Sequence, residues 1–179
     1  MILSIRPASA PDEFDIARTL FREYQAAIET DLCFQSFEQE LSGLPGKYAP
    51  PRGTLLLAWM DPGSGRPPTP AGVIAMRPLS EETCEMKRLY VRPIARGQNL
   101  GRKLIEQVIE AGRNAGYSKM RLDTLAGKMD RAIALYREFG FRDIAPYFDS
   151  PLPNQLFLEL DLSVPAASSG SRPSSRPGT

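Results

Sequence analysis

Between Leu89 and Lys103 the chain reads Leu-Tyr-Val-Arg-Pro-Ile-Ala-Arg-Gly-Gln-Asn-Leu-Gly-Arg-Lys. An apolar strand runs into a turn holding Gly97, Asn99 and Gly101. The turn leads directly into a helix with Leu100, Leu104, Ile105, Val108 and Ile109 on one face. Glycine accepts positive φ and lets the backbone approach a ligand closely, and asparagine is the next most tolerant residue. Successive N–H groups at a helix start make a cradle for an anion, reinforced by the helix dipole. Arg96 and Arg102 add positive charge, so the chemistry on offer is the binding of a phosphate-like group.

A P-loop would need four residues between its glycines, followed by Lys-Ser/Thr. Here Gln98, Asn99 and Leu100 separate the glycines, and Leu104 follows Lys103. A dinucleotide fingerprint would need Gly-x-Gly-x-x-Gly, which the turn lacks, although Asp123 lies near the end of the next strand, where a ribose-binding acid would sit. Two blander readings stand beside these. One is a tight strand–helix turn with no ligand. The other is a solvated basic face, because Lys87, Arg88, Arg92, Arg96, Arg102 and Lys103 fall in one stretch with no acid between them.

Absent residue types narrow the chemistry further. The 179 residues contain no histidine and two cysteines, Cys33 and Cys84. That excludes a Ser-His-Asp triad, a Cys-His dyad, an HExxH zinc site and an imidazole base. Two cysteines alone make neither a zinc site nor a disulfide framework, and no metal is expected. Reduced cytosol is the default compartment, so a cytoplasmic location is expected. The N-terminus lacks the pattern of a secretory signal, and no apolar run approaches the ~20 residues of a membrane helix. A net charge of +1 gives no general attraction to polyanions. Nucleic-acid binding through the basic stretch lacks the interleaved aromatic residues that base stacking needs, and is not expected.

The elements that position these residues can be read from periodicity and breakers. Leu3–Ile5 opens as a strand. Ser9-x-x-Asp12 with Pro11 starts a helix carrying Phe14, Ala17, Leu20, Phe21, Tyr24 and Ile28 at helical spacing. A short helix covers Phe37–Leu44. Strands follow at Thr54–Met60, Ala71–Met76 and Thr83–Val91, then the Leu100 helix stopped by Gly116. Met120–Thr124 is a strand, Asp130–Phe139 a helix, and Phe141–Ile144 and Gln155–Leu160 the last strands. The order β-α-α-β-β-β-α-β-α-β-β gives an α/β (α+β) domain, a mixed sheet flanked by helices. In Thr83–Val91, Cys84 and Met86 share one parity, and Leu89 and Val91 the other. An extra residue near Lys87-Arg88 restores a common apolar face, so a β-bulge is expected there. One domain should span residues 1–162, followed by a disordered Ser/Pro/Arg tail over 163–179.

Two segments resemble the GNAT superfamily of N-acetyltransferases. Arg96-Gly-Gln-Asn-Leu-Gly101 is similar to the family's acetyl-CoA signature [Q/R]-x-x-G-x-[G/A], after a strand ending Leu-x-Val. Ala132-Ile-Ala-Leu-Tyr136-Arg-Glu-Phe-Gly140-Phe141 is similar to its A-x-x-L-Y-x-x-x-G-F segment. The strong match covers about residues 83 to 142, with Asn99 in place of the usual middle glycine and Met129 where many members carry asparagine.

The resemblance implies a mostly antiparallel sheet of about seven strands with about four helices, its bulged fourth strand splayed to admit acetyl-CoA. Leu89, Tyr90 and Val91 would pair with the pantetheine arm. Arg96, Gly97, Gln98, Asn99, Leu100, Gly101 and Arg102 would surround the pyrophosphate. Tyr136 sits where the family's thiolate-protonating tyrosine does; on spacing alone it reads as a core aromatic. Glu85, on the bulged strand opposite in parity to Cys84 and Met86, is the candidate base or substrate-orienting group; the alternative is a pairing with Lys87 or Arg88. Tyr48, Asp123, Tyr147 and Asp149 are weaker candidates. The implied activity is direct acetyl transfer to a primary amine of a small molecule or peptide. The alternative is a catalytically silent acyl-CoA-binding module. Homodimers are common in the family, so a second copy of the chain is a candidate partner.

Overall fold

The computed structural model describes residues 2–32, 36–63 and 65–165. Its elements are β1 (Ile2–Pro7), α1 (Pro11–Ile28), α2 (Phe37–Ser42), β2 (Thr54–Asp61), β3 (Thr69–Pro78), β4 (Thr83–Val91), α3 (Leu100–Asn114), β5 (Lys119–Leu125), α4 (Asp130–Glu138), β6 (Arg142–Asp143) and β7 (Gln155–Asp161). The seven strands form one sheet in the order β1-β2-β3-β4-β5-β7-β6. Every pairing is antiparallel except β4 with β5. The expected architecture and element order are therefore the observed ones.

Helix α1 begins one residue later than a Ser9 cap would place it. Ala10 is the N-cap, and Glu13, not Asp12, does the capping: its carboxylate accepts the backbone N–H groups of Ser9 at 2.7 Å and Ala10 at 3.2 Å. A carboxylate here also sits at the positive end of the helix dipole. Arg6 of β1 pairs with the same carboxylate. At the C-terminal end, Asp161 accepts the Ser163 N–H, and Arg113 donates to the carbonyl of Val164, so defined structure runs a little past residue 162. Of the tail expected over 163–179, residues 166–179 lie outside the described residues, as does Cys33.

Two cores flank the sheet. Helix α3 packs Leu104, Ile105 and Val108 onto Cys84, Met86, Met120 and Leu122. On the other face, Ala17, Leu20 and Phe21 of α1 and Phe37 and Leu41 of α2 pack onto Leu55, Leu57, Val73 and Ala75. Gly72 is required by the neighbouring strand: a Cβ there would lie 2.7 Å from the carbonyl oxygen of Tyr90 in β4.

The bulge in β4 is where parity puts it. Lys87 pairs with Ala75 and Tyr90 with Val73, so Arg88 and Leu89 together face Ile74. Arg88 takes φ 62°, a left-handed conformation unusual for a side chain of its size. The extra residue turns Leu89 toward the α3 core alongside Cys84 and Met86. It also leaves Glu85, Lys87 and Arg88 buried, and their charged groups meet partners from α2, β3 and β5.

Candidate active site

Strands β4 and β5 begin together and then part. Thr83, Cys84 and Glu85 pair with Lys119, Met120 and Arg121, and the pairing ends there. Beyond it the inner edge of β4 from Met86 and that of β5 from Leu122 face a gap. A cleft of about 630 Å³ occupies the open end of this gap. It is lined by Leu89, Tyr90 and Val91 of β4, the Arg96–Arg102 turn, Tyr24 and Ile28 of α1, and Ala132 and Leu135 of α4. Of the ten residues expected to hold acetyl-CoA, all line it except Gln98.

The turn has the geometry its sequence asks for. Gly97 has φ 79°, and Asn99, the N-cap of α3, has φ 61°, so the residue that replaces the usual glycine is left-handed. Gly101 lies in the first turn of α3, where the N–H groups have no intrahelical partner. A Cβ on Gly101 would meet nothing nearer than Leu135 at 3.8 Å. Packing within the chain therefore does not demand glycine there; close approach by something in the cleft would. Arg96, Arg102, Lys128 and Arg131 line the same cleft against one acid, Glu138, which pairs with Arg102. An anion held by backbone N–H groups at a helix start, with surplus cations around it, is the chemistry this end of the cleft can do.

The basic run of the sequence is largely compensated from distant elements. Lys87 binds Asp123 at 3.2 Å, Arg88 binds Glu40 at 2.6 Å and Arg92 binds Glu23 at 2.6 Å. A solvated cationic face is thus not what Lys87–Arg92 forms. Lys128 donates to the carbonyls of Ile28 and Glu29 and to the Thr30 hydroxyl, tying the C-terminal end of α1 to the β5–α4 loop.

Where the gap narrows, a small pocket of about 30 Å³ is lined by Lys87, Leu89, Asp123, Thr124, Met129 and Tyr136, with Tyr24, Ile28, Leu32 and Leu152 around them. Tyr136 is buried, and burial pushes its hydroxyl far above the ordinary phenol range, with Tyr24 and Asp123 adding to the effect. It therefore stays protonated, with a proton available to donate. Burial also raises the Tyr24 phenol. Tyr24 borders both the cleft and the small pocket. Sequence reasoning placed it in the apolar stripe of α1, and its polar end was the only signal of a further role.

Glu85 lines neither cavity. It is 1% exposed; Arg77 Nε donates to one carboxylate oxygen at 2.9 Å and the Tyr147 hydroxyl to the other at 2.7 Å. Lys87 Nζ lies 3.8 Å away. Its main partner is thus Arg77, directly across on β3, with Lys87 the more distant one. Tyr147 is raised well above the phenol range by burial and by Glu85.

Asp123 accepts from Lys87 Nζ at 3.2 Å and from Gln155 Nε2 at 2.8 Å. Burial alone would raise its pKa, but Lys87, Gln155 and Arg88 outweigh that and hold it below the usual aspartate range. Tyr48 donates to Glu40 at 2.6 Å and so supports the Arg88 ion pair. Cys84, buried in the α3 core, has its thiol pushed up to about 12 by burial, which makes it inert as a nucleophile.

Residues 14–141 match the Acetyltransferase (GNAT) family. The chain belongs to this family of acetyltransferases. It is 38% identical over 162 residues to an uncharacterised N-acetyltransferase of Schizosaccharomyces pombe, spanning 90% of this chain and 96% of that one. An acetyltransferase structure from Streptococcus agalactiae superposes with a TM-score of 0.70 at 21% identity, over 89% of this chain and 98% of the other. A Salmonella typhimurium structure solved with its cofactor acetyl-CoA superposes with a TM-score of 0.62 at 18% identity, over 96% and 100% of the two chains. No helix among the described residues is long and apolar enough to cross a membrane, and no group of three or more potential metal ligands occurs among them.

Proposed function

We propose that this acetyltransferase uses acetyl-CoA and acylates a primary amine. The observation that carries the reading is the parting of β4 from β5 in a gap that ends on the N-terminus of α3. Leu89–Val91 present an open strand edge to an extended amide-bearing chain, and the Arg96–Arg102 turn offers N–H groups and cations to its pyrophosphate. The thioester then lies near Leu89, whose N–H is the candidate donor to the oxyanion formed when the amine attacks. The amine attacks in its neutral form, Tyr136 gives its proton to the departing CoA sulfur, and the proton that the amine nitrogen loses restores the Tyr136 hydroxyl. Glu85 acts at one remove, orienting the acceptor side of the site through Lys87 and Tyr147. The test is thiol release from acetyl-CoA across a panel of primary amines, together with CoA binding by calorimetry. Gly101→Glu puts bulk and negative charge where phosphate must approach, and should weaken CoA binding by ~10³-fold, about 4 kcal/mol, with the fold intact. Tight CoA binding by that variant would remove the cradle from the account. CoA binding by the wild type without thiol release from any amine would leave a binding module.

A further inference from the structure

Arg88 is the residue that the bulge adds to β4: together with Leu89 it faces the single residue Ile74 of β3. A bulge of this kind holds its first residue near the right-handed helical region or, in its left-handed form, places glycine there. Here the left-handed form is built on an arginine, with φ 62°. For a side chain of this size such a conformation costs free energy that the surroundings must offset.

The offset comes through the side chain. It is 2% exposed and makes a forked pair with Glu40 of α2: Nε donates to one carboxylate oxygen at 3.1 Å and Nη2 to the other at 2.6 Å. The guanidinium also lies over the rings of Phe37, at 5.0 Å, and Tyr24, at 5.9 Å. Glu40 is itself fixed, because the Tyr48 hydroxyl donates to it at 2.6 Å and its neighbours on α2, Phe37 and Leu41, are buried in the core on that face. Burial alone would raise the Glu40 carboxyl, but Arg88, Tyr48 and Lys87 outweigh that and keep it below the usual glutamate range, so the pair stays charged. A buried pair of this kind adds little net stability, and glycine would take the same backbone conformation without it. The register of the sheet alone therefore calls for neither Arg88 nor Glu40.

We infer that Arg88 and Glu40 are positioning residues that aim the Leu89 N–H at the thioester carbonyl. This rests on the acetyl-CoA reading and names what holds its oxyanion donor. The Leu89 N–H belongs to the rigid peptide plane that joins Arg88 to Leu89, so the backbone angles of Arg88 set its direction. Relaxation of Arg88 into the right-handed form swings that plane and takes the donor off the carbonyl, while β4 keeps its register. Arg88 borders the small pocket, whereas Glu40 lines neither cavity. Helix α2 thus bears on the reaction from outside the cleft, through one ion pair and one strained backbone angle.

The probe is acetyl-CoA labelled with ¹³C at the thioester carbonyl, whose stretching frequency falls as a hydrogen bond to its oxygen strengthens. Difference infrared spectroscopy of the bound donor reads it without an acceptor amine. In the wild type the frequency should lie below that of acetyl-CoA in water. Arg88→Met with Glu40→Leu replaces the pair by apolar groups and frees residue 88 to relax. It should lose the lowering while acetyl-CoA affinity holds, and with any amine that the wild type acetylates kcat should fall ~10²-fold. Arg88→Gly with Glu40→Leu should restore the lowering, because glycine takes positive φ unaided. A role in packing alone would leave the frequency where it is in both. If the methionine variant fails to fold, Glu40→Gln weakens the hold without changing its shape and should lose part of the lowering. A full lowering in the methionine or the glutamine variant overturns the assignment, and so does a glycine variant no better than the methionine one. A wild-type frequency that does not fall overturns it together with the Leu89 donor. Calorimetry with CoA reports separately on the phosphate cradle, so failure of this inference and failure of the acetyl-CoA reading are distinguishable.

Discussion

Strand β4 sends Cys84, Met86 and Leu89 into the core under α3, and Glu85, Lys87 and Arg88 toward α1, α2 and the gap beside β5. The first set packs into a mainly apolar cluster. The second is a chain of buried ion pairs and tyrosine hydroxyls. An apolar face gains stability from burial without directional demands, whereas buried charges need every partner in place and gain little net stability from being there. The two faces of one strand thus divide the labour: α3 holds the sheet together, and the opposite face holds a polar arrangement that packing alone would not select.

The comparison can be broken most severely on the polar side. Glu40→Leu leaves Arg88 buried without its carboxylate, and should cost about 4 kcal/mol in chemical denaturation. Arg88→Met combined with Glu40→Leu should recover most of that loss, and a double variant as unstable as the single one would show that the pair is worth more than its desolvation. On the apolar side, Leu104→Ala removes a fully buried side chain and should cost about 3 kcal/mol, with CoA affinity little changed once folded. Tyr136 and Tyr117 bring hydroxyls into the α3 core, and Tyr136 is the one that borders the small pocket. Tyr136→Phe keeps its packing against Phe141 and should lower kcat by ~10²-fold while stability and CoA binding hold. An unaltered kcat would assign the ring to packing alone.

The smallest expected effect is at Glu13, which anchors the start of α1. Its carboxyl is held down to about 2, first by the Ser9 N–H, with Arg6 and Ala10 adding to the effect against burial. A folded-state pKa below the unfolded one means stability that is present above the unfolded value and lost as pH falls through the folded one. Glu13→Gln should therefore cost about 1 kcal/mol at pH 7, and the difference between variant and wild type should shrink between about pH 4.5 and 2. A gap that persists to pH 2 would mean that the charge of Glu13 is not what caps the helix.

What the sequence revealed and what it hid follow the same division. The strand limits of β4 and its bulge were legible because Cys84, Met86, Leu89 and Val91 carry their own parity. The Arg96–Gly101 turn was legible because positive φ at Gly97 and Asn99 is a local demand. The partners of the basic run were not. Asp123, Glu40 and Glu23 lie 36, 48 and 69 residues from Lys87, Arg88 and Arg92, and no periodicity reports a contact at such separations. For the same reason Glu85 could be placed on the correct face while its partners, Arg77 and Tyr147, went unnamed. Tyr24 stayed hidden among the apolar residues of α1, since helical spacing cannot tell an aromatic that fills a core from one that borders a cleft.

The parting of β4 and β5 gives this sheet four edges instead of two. The outer ones follow familiar rules: β6 is only two residues long, and β1 ends in Arg6 and Pro7. Exposed strand edges invite pairing with other chains, and proteins usually blunt them with charge, proline or shortness. The inner edges carry no proline and are not short, and the one charge on them, Asp123, is paired with Lys87 across the gap. They are kept from neighbouring molecules by enclosure, with Tyr24 of α1 on one side and Ala132 and Leu135 of α4 on the other. A slender chain can enter between these walls and a folded strand cannot. Loss of either helix would therefore turn the most useful edge in the molecule into a point of aggregation.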